Sequence, residues 1–220
     1  MHLYKNLHPP DKGPDNRHHY INTIIIIIII AILIAVITNL SDKSRWENFN
    51  PDQISDPIQI NTNSINPMTI TQKGQTYTIT PIAKYKISAI AAGIKTYNDN
   101  NPISPMDIAL IWGDLATPNY EDHLTISQSN RWYHFRYTAD SPHSKRYIEK
   151  HSANTHIIPE NDEIQKTLKK IRKDDIVYLE GYLVNIKRDS DNYRWSSSKS
   201  RKDTGDGSCE VMYVKGVEII

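Results

Sequence analysis

The stretch NDEIQKTLKKIRKDDIVYLEGYLVNIKR, residues 161–188, holds the clearest structural signals in the chain. Ile164, Leu168 and Ile171 recur at i, i+4 and i+7, which predicts an amphipathic helix capped by Asn161 or the residue after it. DIVYLEGYLVNIKR then has the composition of a long strand, and its internal Gly181 predicts a bulge or bend. A helix that leads into a bent strand is typical of a small barrel.

Further strand patterns lie on both sides of this stretch. MTITQKGQTYTIT alternates around a Lys-Gly turn, AKYKISAIAAGIKTY continues the alternation, and YRWSSSKS and CEVMYVKGVEII supply two later strands. SNRWYHFRYT predicts another strand, with Trp132 and His134 on one side and Tyr133 and Phe135 on the other. Residues 68–220 are therefore predicted to form a soluble α+β domain, mixed but mainly antiparallel. The strand count favours an OB-like small barrel with two or three helices.

Two additional helices are expected from capping signals. In ISPMDIALIWGDL, Ser104 can serve as the N-cap, Pro105 as the first helical residue and Asp107 as the acidic third residue of a capping box. Thr117-Pro118 can open a second short helix through YEDHL in the same way.

Residues 20–41 are predicted to form a transmembrane helix. Ile24 to Ile37 is an unbroken apolar run, and about 20 such residues cross a hydrocarbon core of roughly 30 Å. The alternative is a cleaved signal peptide, but no small-residue cleavage pattern follows Ile37. The chain is therefore expected to be a single-pass membrane protein that contacts the lipid bilayer through this segment.

The flanks of this segment indicate its orientation. Residues 1–19 are rich in proline and histidine without apolar periodicity, which predicts a disordered tail. Residues 42–67 are predicted to be a tether with one edge strand at PIQIN. Positive charges favour the N-terminal flank by three to two, counting Lys5, Lys12 and Arg17 against Lys43 and Arg45, which places the C-terminal domain outside the cytoplasm.

Composition excludes several classes of function. With 26 basic and 25 acidic residues in 220, the chain has no electrostatic reason to bind nucleic acid. One cysteine excludes an internal disulfide and any multi-cysteine metal cage. His123, His134 and His143 lack metal-ligand spacing, so no metal and no cofactor are expected.

Cys209, in SRKDTGDGSCEVMYV, permits two interpretations. It can be the nucleophile of an envelope hydrolase or thiol enzyme, with His156 as base and Asp203 as the third member. It can also be a small apolar residue that opens a strand after a TGDG turn, which is the favoured interpretation because no catalytic signature surrounds it.

A binding surface is the preferred functional prediction. Ser152, Asn154 and His156 alternate in HSANTHIIP, so they share one face of a strand, where they can bind a ligand, face solvent or form a polar network. Together with the aromatic and basic segment NRWYHFRY, they give a predicted exposed surface of Arg131, Trp132, His134, Ser152, Asn154 and His156.

Five segments carry a resemblance: ISPMDIALIWGDL, ISQSNRWYHFRY, SANTHIIPENDEI, DDIVYLEGYLVNI and SRKDTGDGSCEVMYV. Over residues 80–220 the chain resembles a set of uncharacterised bacterial single-pass membrane proteins with a soluble outer domain. The resemblance implies a bacterial inner-membrane location with a periplasmic domain, and assigns no catalytic residues. The expected function is thus a non-enzymatic accessory protein that contacts a membrane-complex subunit or an envelope polymer.

Overall fold

The computed structural model describes residues 17–50, 52–98, 103–191, 193–200 and 209–220. The chain divides into two compact units, one that ends at Glu47 and one that runs from Asn48 to Ile220. Most of the predicted N-terminal tail and Asp203 lie outside the described residues.

The first unit contains one long helix, α1 (Arg17–Glu47). Within it, 22 residues from Tyr20 to Ser41 are long and apolar enough to cross a membrane. The helix is apolar on all sides rather than on one stripe, which suits a lipid environment better than packing on a soluble core. The Thr38 hydroxyl bonds the carbonyls of Ile34 and Ala35 at 3.0 Å, so this polar group is satisfied within the helix.

The second unit is mixed α+β and consists mostly of sheet, as the sequence predicts. Within the described residues, two short α-helices and ten strands follow α1: β1 (Ile58–Asn61), β2 (Met68–Gln72), β3 (Gln75–Thr96), β4 (Met106–Ile111), β5 (Leu124–Ser129), β6 (Trp132–Tyr137), α2 (Lys145–Lys150), β7 (Ser152–Pro159), α3 (Asp162–Leu168), β8 (Ile176–Arg188), β9 (Arg194–Ser196) and β10 (Glu210–Ile219).

Five of these strands form a closed circuit. β3 pairs with both β4 and β8, β4 pairs with β7, β7 pairs with β10, and β10 pairs with β8. All these pairings are antiparallel except β7 with β10, which is parallel. β3 can join two partners because it is 22 residues long: residues 77–90 pair with β8, and residues 90–96 pair with β4.

The interior of the circuit is the main hydrophobic core. Alternate residues of each strand point inward, including Tyr85, Leu110 and Met212, each at most 1% exposed. Helix α3 covers this core with Leu168, and Ile164 and Ile171 pack beside it. The predicted helix is confirmed, and its cap is Asn161, whose Oδ1 accepts hydrogen bonds from two backbone N–H groups at 3.0 Å.

The predicted irregularity at Gly181 is also present, although the extra residue lies in the partner strand. Gly181 pairs with Val214, and the register of β10 shifts between Val214 and Gly216. A Cβ on Gly181 would lie 2.0 Å from the carbonyl oxygen of Tyr213, so glycine allows the two backbones to approach.

The predicted helix in ISPMDIALIWGDL is wrong, because this segment forms β4. Every residue of β4 is buried, since one face lines the core and the other is covered by a hairpin. A strand buried on both faces has a nearly continuous apolar sequence without the alternation that identifies half-exposed strands. Ser104 therefore caps no helix, and its hydroxyl bonds the Met106 carbonyl at 3.3 Å. The expected helix through YEDHL is a single 3-10 turn, Tyr120–Asp122.

Part of the segment predicted as a tether is structured. Helix α1 continues to Glu47, the Phe49 ring lies 5.6 Å from the Tyr178 ring, and Ile54 packs against the core. β1 pairs with residues 83–86 of β3 at the edge of the sheet, as expected for PIQIN.

Candidate functional site

A hairpin of β5 and β6 covers the outer face of β4 and β7. Its turn residues Asn130 and Arg131 both have positive φ, 50° and 69°, which matches the twist of a tight two-residue hairpin. Beneath it, the antiparallel register of β4 and β7 places polar side chains on the same outer face: Asp107 lies opposite His156, Ala109 opposite Asn154, and Ile111 opposite Ser152.

Asp107 is the centre of a buried polar cluster, which comprises Asp107, Gln128, Arg131, Asn154 and His156. One oxygen of Asp107 lies 2.8 Å from Nδ1 of His156 and 3.0 Å from Nη1 of Arg131. The other accepts a longer bond of 3.4 Å from the Asn154 amide, whose own oxygen accepts from Gln128 at 2.7 Å. Because a carboxylate only accepts hydrogen bonds, Nδ1 of His156 is the donor. The cluster ties the hairpin to the barrel through charge-assisted bonds.

Arg131 is the hairpin residue that reaches deepest into the cluster. Besides Asp107, its Nη1 donates to the Ser104 carbonyl at 2.9 Å. Its guanidinium lies 3.6 Å from the centre of the Tyr97 ring and 5.9 Å from that of Trp195. These contacts hold a non-glycine residue in the left-handed region, where it is otherwise uncommon. Arg131 therefore locks the turn of the hairpin.

Two tyrosines beside the cluster remain protonated well above neutral pH. Burial, followed by the nearby Asp107 carboxylate, raises the pKa of Tyr97 to about 12. Burial also raises the pKa of Tyr133 to about 12, and the Tyr133 hydroxyl lies 3.1 Å from that of Ser152. Both hydroxyls can therefore donate hydrogen bonds under physiological conditions.

We expect the folded domain to lose stability between pH 10 and about pH 12 partly because of Tyr133. In the unfolded chain a tyrosine releases its proton near pH 10, whereas in the folded protein Tyr133 keeps it up to about pH 12, so deprotonation favours unfolding over this interval. Between pH 10 and pH 12 the unfolding free energy should fall by about 2 kcal/mol less in Tyr133→Phe than in the unsubstituted protein. Urea unfolding at pH 8, 10 and 12 measures this. At pH 8 the variant should lack only the hydrogen bond to Ser152, a loss of about 1 kcal/mol. If the unfolding free energy falls equally steeply with pH in both proteins, Tyr133 is not the cause of the fall.

The six residues of the predicted surface do not share one exposed face. Ser152, Asn154 and His156 are at most 5% exposed and lie beneath the hairpin. Trp132 and His134 point away from the barrel on the outer side of the hairpin, where Trp132 is 40% exposed. Arg131 joins the two sets, with 19% of its side chain exposed. The trio on β7 thus has the geometry of a polar network.

Of the three residues in the thiol-enzyme hypothesis, the structure describes Cys209 and His156, and Asp203 lies outside the described residues. Cys209 is half-buried and directly precedes β10, and its carbonyl accepts a hydrogen bond from Ser198 at 3.0 Å. Val211, two residues after Cys209, lies opposite His156 in the parallel pairing of β10 with β7. Nδ1 of His156 is bonded to Asp107, and the Trp195 ring lies 4.4 Å from the imidazole. The carboxylate that orients His156 is therefore Asp107, and the enzymatic role of Cys209 stays a prediction.

Sequence reasoning missed Asp107, Gln128 and Tyr97 as members of this site or its surroundings. The available signal was an acid inside the apolar segment MDIALI, which is costly to bury without partners. Assigning that segment to a helix put Asp107 in an exposed first turn. Within the described ranges no group of three or more histidine, cysteine, aspartate or glutamate residues is arranged to hold a metal ion.

Comparison with known proteins adds no relative to this picture: no family model, curated protein or solved structure matches the chain.

Proposed function

We propose that this chain is a membrane-anchored binding protein of the bacterial envelope, and that its domain is an OB-like barrel. The order of the circuit supports the fold. If β3, β4, β7, β8 and β10 are counted along the chain as the first to the fifth strand, the order of neighbours around the circuit is first, second, third, fifth, fourth and back to the first. The third and fifth are parallel, and helix α3 lies between the third and fourth. This is the arrangement of the five-stranded Greek-key barrel that binds ligands in many OB-fold proteins.

The exposed face of the hairpin is the feature that carries the proposal. Trp132, His134 and Arg136 project from β6, and their cross-strand partners on β5 are hydroxyl residues, Ser129, Ser127 and Thr125. This outer strip contains no carboxylate, and the guanidinium of Arg136 makes it cationic. Tryptophan and arginine are enriched among residues that dominate protein interfaces.

The buried polar cluster makes the strip suitable for binding. An isolated two-stranded hairpin is only marginally stable in water. Here its underside is fixed by the bonds of Arg131 and Gln128 to the barrel, and Phe135 packs against buried apolar residues. A strip that is already ordered loses less conformational entropy when a partner binds.

The partner that this strip fits best is an acidic surface on another membrane protein. A raised two-stranded ribbon presents a ridge rather than a cleft, and the apolar helix α1 would keep it beside membrane neighbours. We place α1 in the inner membrane and the domain in the periplasm, on the basis of the flanking charges. An envelope polymer is the alternative partner.

Photocrosslinking in intact bacterial cells tests the proposal. A photoreactive residue at His134 should give a protein adduct of defined mass, whereas the same residue at Lys187, an exposed position on β8, should not. Trp132→Ala should reduce the adduct about 30-fold, the effect of losing about 2 kcal/mol of binding energy. An adduct that shifts in mass after glycan digestion would identify the polymer instead. Equal labelling from positions 134 and 187 would contradict a binding role for the hairpin.

A further inference from the structure

A pocket of about 260 Å³ lies at the end of the barrel that α3 covers, apart from the hairpin strip. Four parts of the fold build it: the β2–β3 turn, the end of β3, the junction of β4 and β7, and α3. Its lining residues are Gln72, Lys73, Thr96, Tyr97, Asn98, Pro105, Met106, Pro159, Gln165, Leu168 and Lys169.

The pocket has an apolar floor and a polar rim. Met106 and Leu168 are at most 4% exposed and belong to the main core, and the prolines and the Tyr97 ring extend this apolar surface. The rim carries amide side chains and two lysines. Small-molecule sites combine these two properties, with apolar walls and a few placed polar groups.

The two lysines make the rim cationic. Lys73 is held in a left-handed turn with φ of 47°, and its Nζ lies 3.4 Å from the Asn98 side-chain oxygen. Lys169 is the C-cap residue of α3. The lining contains no carboxylate, and neither lysine forms an ion pair within the ranges that the structure describes. Two ammonium groups around one cavity favour an anionic ligand.

We propose that this pocket binds a small carboxylate that carries an apolar group. The carboxylate would lie between Lys73 and Lys169, and the apolar group would contact Met106 and Leu168. The volume lies just below the usual range of roughly 300 to 1,000 Å³, so the ligand is smaller than a typical drug molecule. Inorganic phosphate fits less well, because it leaves the apolar floor uncovered. The proposal is independent of the partner of the hairpin strip.

Calorimetric titration of the full chain in detergent micelles tests the site. The probes are N-acetyl-leucine, its uncharged amide and inorganic phosphate. Binding of N-acetyl-leucine without binding of the amide is expected. Lys73→Gln/Lys169→Gln should weaken it at least tenfold, whereas Lys166→Gln, on α3 but outside the lining, should leave it unchanged.

A second variant and a second probe complete the test. Gln165→Trp should fill the pocket and abolish binding without lowering the thermal midpoint, which separates loss of the site from loss of the fold. A short peptide with a C-terminal leucine that binds more tightly than N-acetyl-leucine would identify the ligand as a chain terminus, and the reverse order as a free small molecule. Any of three results would overturn the proposal: N-acetyl-leucine does not bind, phosphate binds more tightly than N-acetyl-leucine, or the double-lysine variant binds N-acetyl-leucine as tightly as the unsubstituted protein.

Discussion

Gly181→Ala is expected to prevent the domain from folding. The added Cβ would lie 2.0 Å from the Tyr213 carbonyl oxygen and 3.2 Å from the Lys215 nitrogen, and both are backbone atoms that cannot rotate away. Relief requires β8 and β10 to separate at the bulge, where both strands belong to the closed circuit. We expect a loss of more than about 4 kcal/mol, in the range reserved for severe steric or core defects. The measurement is the yield of folded protein, followed by urea unfolding of any that is recovered.

Gly216→Ala is the matched control for this prediction. Gly216 borders the same bulge, but a Cβ there would meet only the Glu180 Cβ at 3.5 Å, an ordinary contact. This variant should fold and stay within about 1 kcal/mol of the natural protein. Equal effects of the two substitutions would show that the bulge does not depend on close backbone approach at Gly181.

Asp107→Ala should destabilise the folded protein by about 3 to 5 kcal/mol, the usual cost of removing one partner from a buried ion pair. Asp107 is fully buried and accepts from His156, Arg131 and Asn154, so its removal leaves a guanidinium beneath the hairpin without its carboxylate. Urea unfolding of the full chain in micelles, followed by tryptophan fluorescence, measures the loss.

Two comparisons show whether the buried charge is the cause. Asp122→Ala removes an exposed acid and should change the unfolding free energy by no more than about 0.5 kcal/mol. Adding Arg131→Met to Asp107→Ala should restore part of the stability, since the cation that lost its partner is also gone. If the double variant is as unstable as the sum of the two single variants, Asp107 and Arg131 do not act as a pair.

Local sequence signals predicted the elements whose environment differs between their two faces. The β2–β3 hairpin followed from alternation around Lys73-Gly74, two residues with the positive φ that the turn requires. Helix α3 followed from the spacing of Ile164 and Leu168 behind the Asn161 cap. In both cases water on one side and core on the other impose a period on the sequence.

The same signals failed where protein covers both faces. β4 lost its alternation because the hairpin replaces water on its outer side, and Asp107 then resembled the acid of a capping box. Whether Ser152 and His156 are exposed also depends on that hairpin, which the strand pattern of β7 does not reveal. The candidate site is thus set by contacts between distant segments: Asp107 and His156 are 49 positions apart in the chain.

The position of β10 determines when this domain can fold during synthesis. β10 is the last strand of the circuit in chain order, yet it pairs with β7 on one edge and β8 on the other. Until residues 210–219 have left the ribosome, β7 and β8 each expose an unpaired edge, and such edges invite aggregation. Strand-by-strand folding of the nascent chain would therefore stall before closure. This topology favours a chain that stays unfolded, or is held by a chaperone, until the last strand is available.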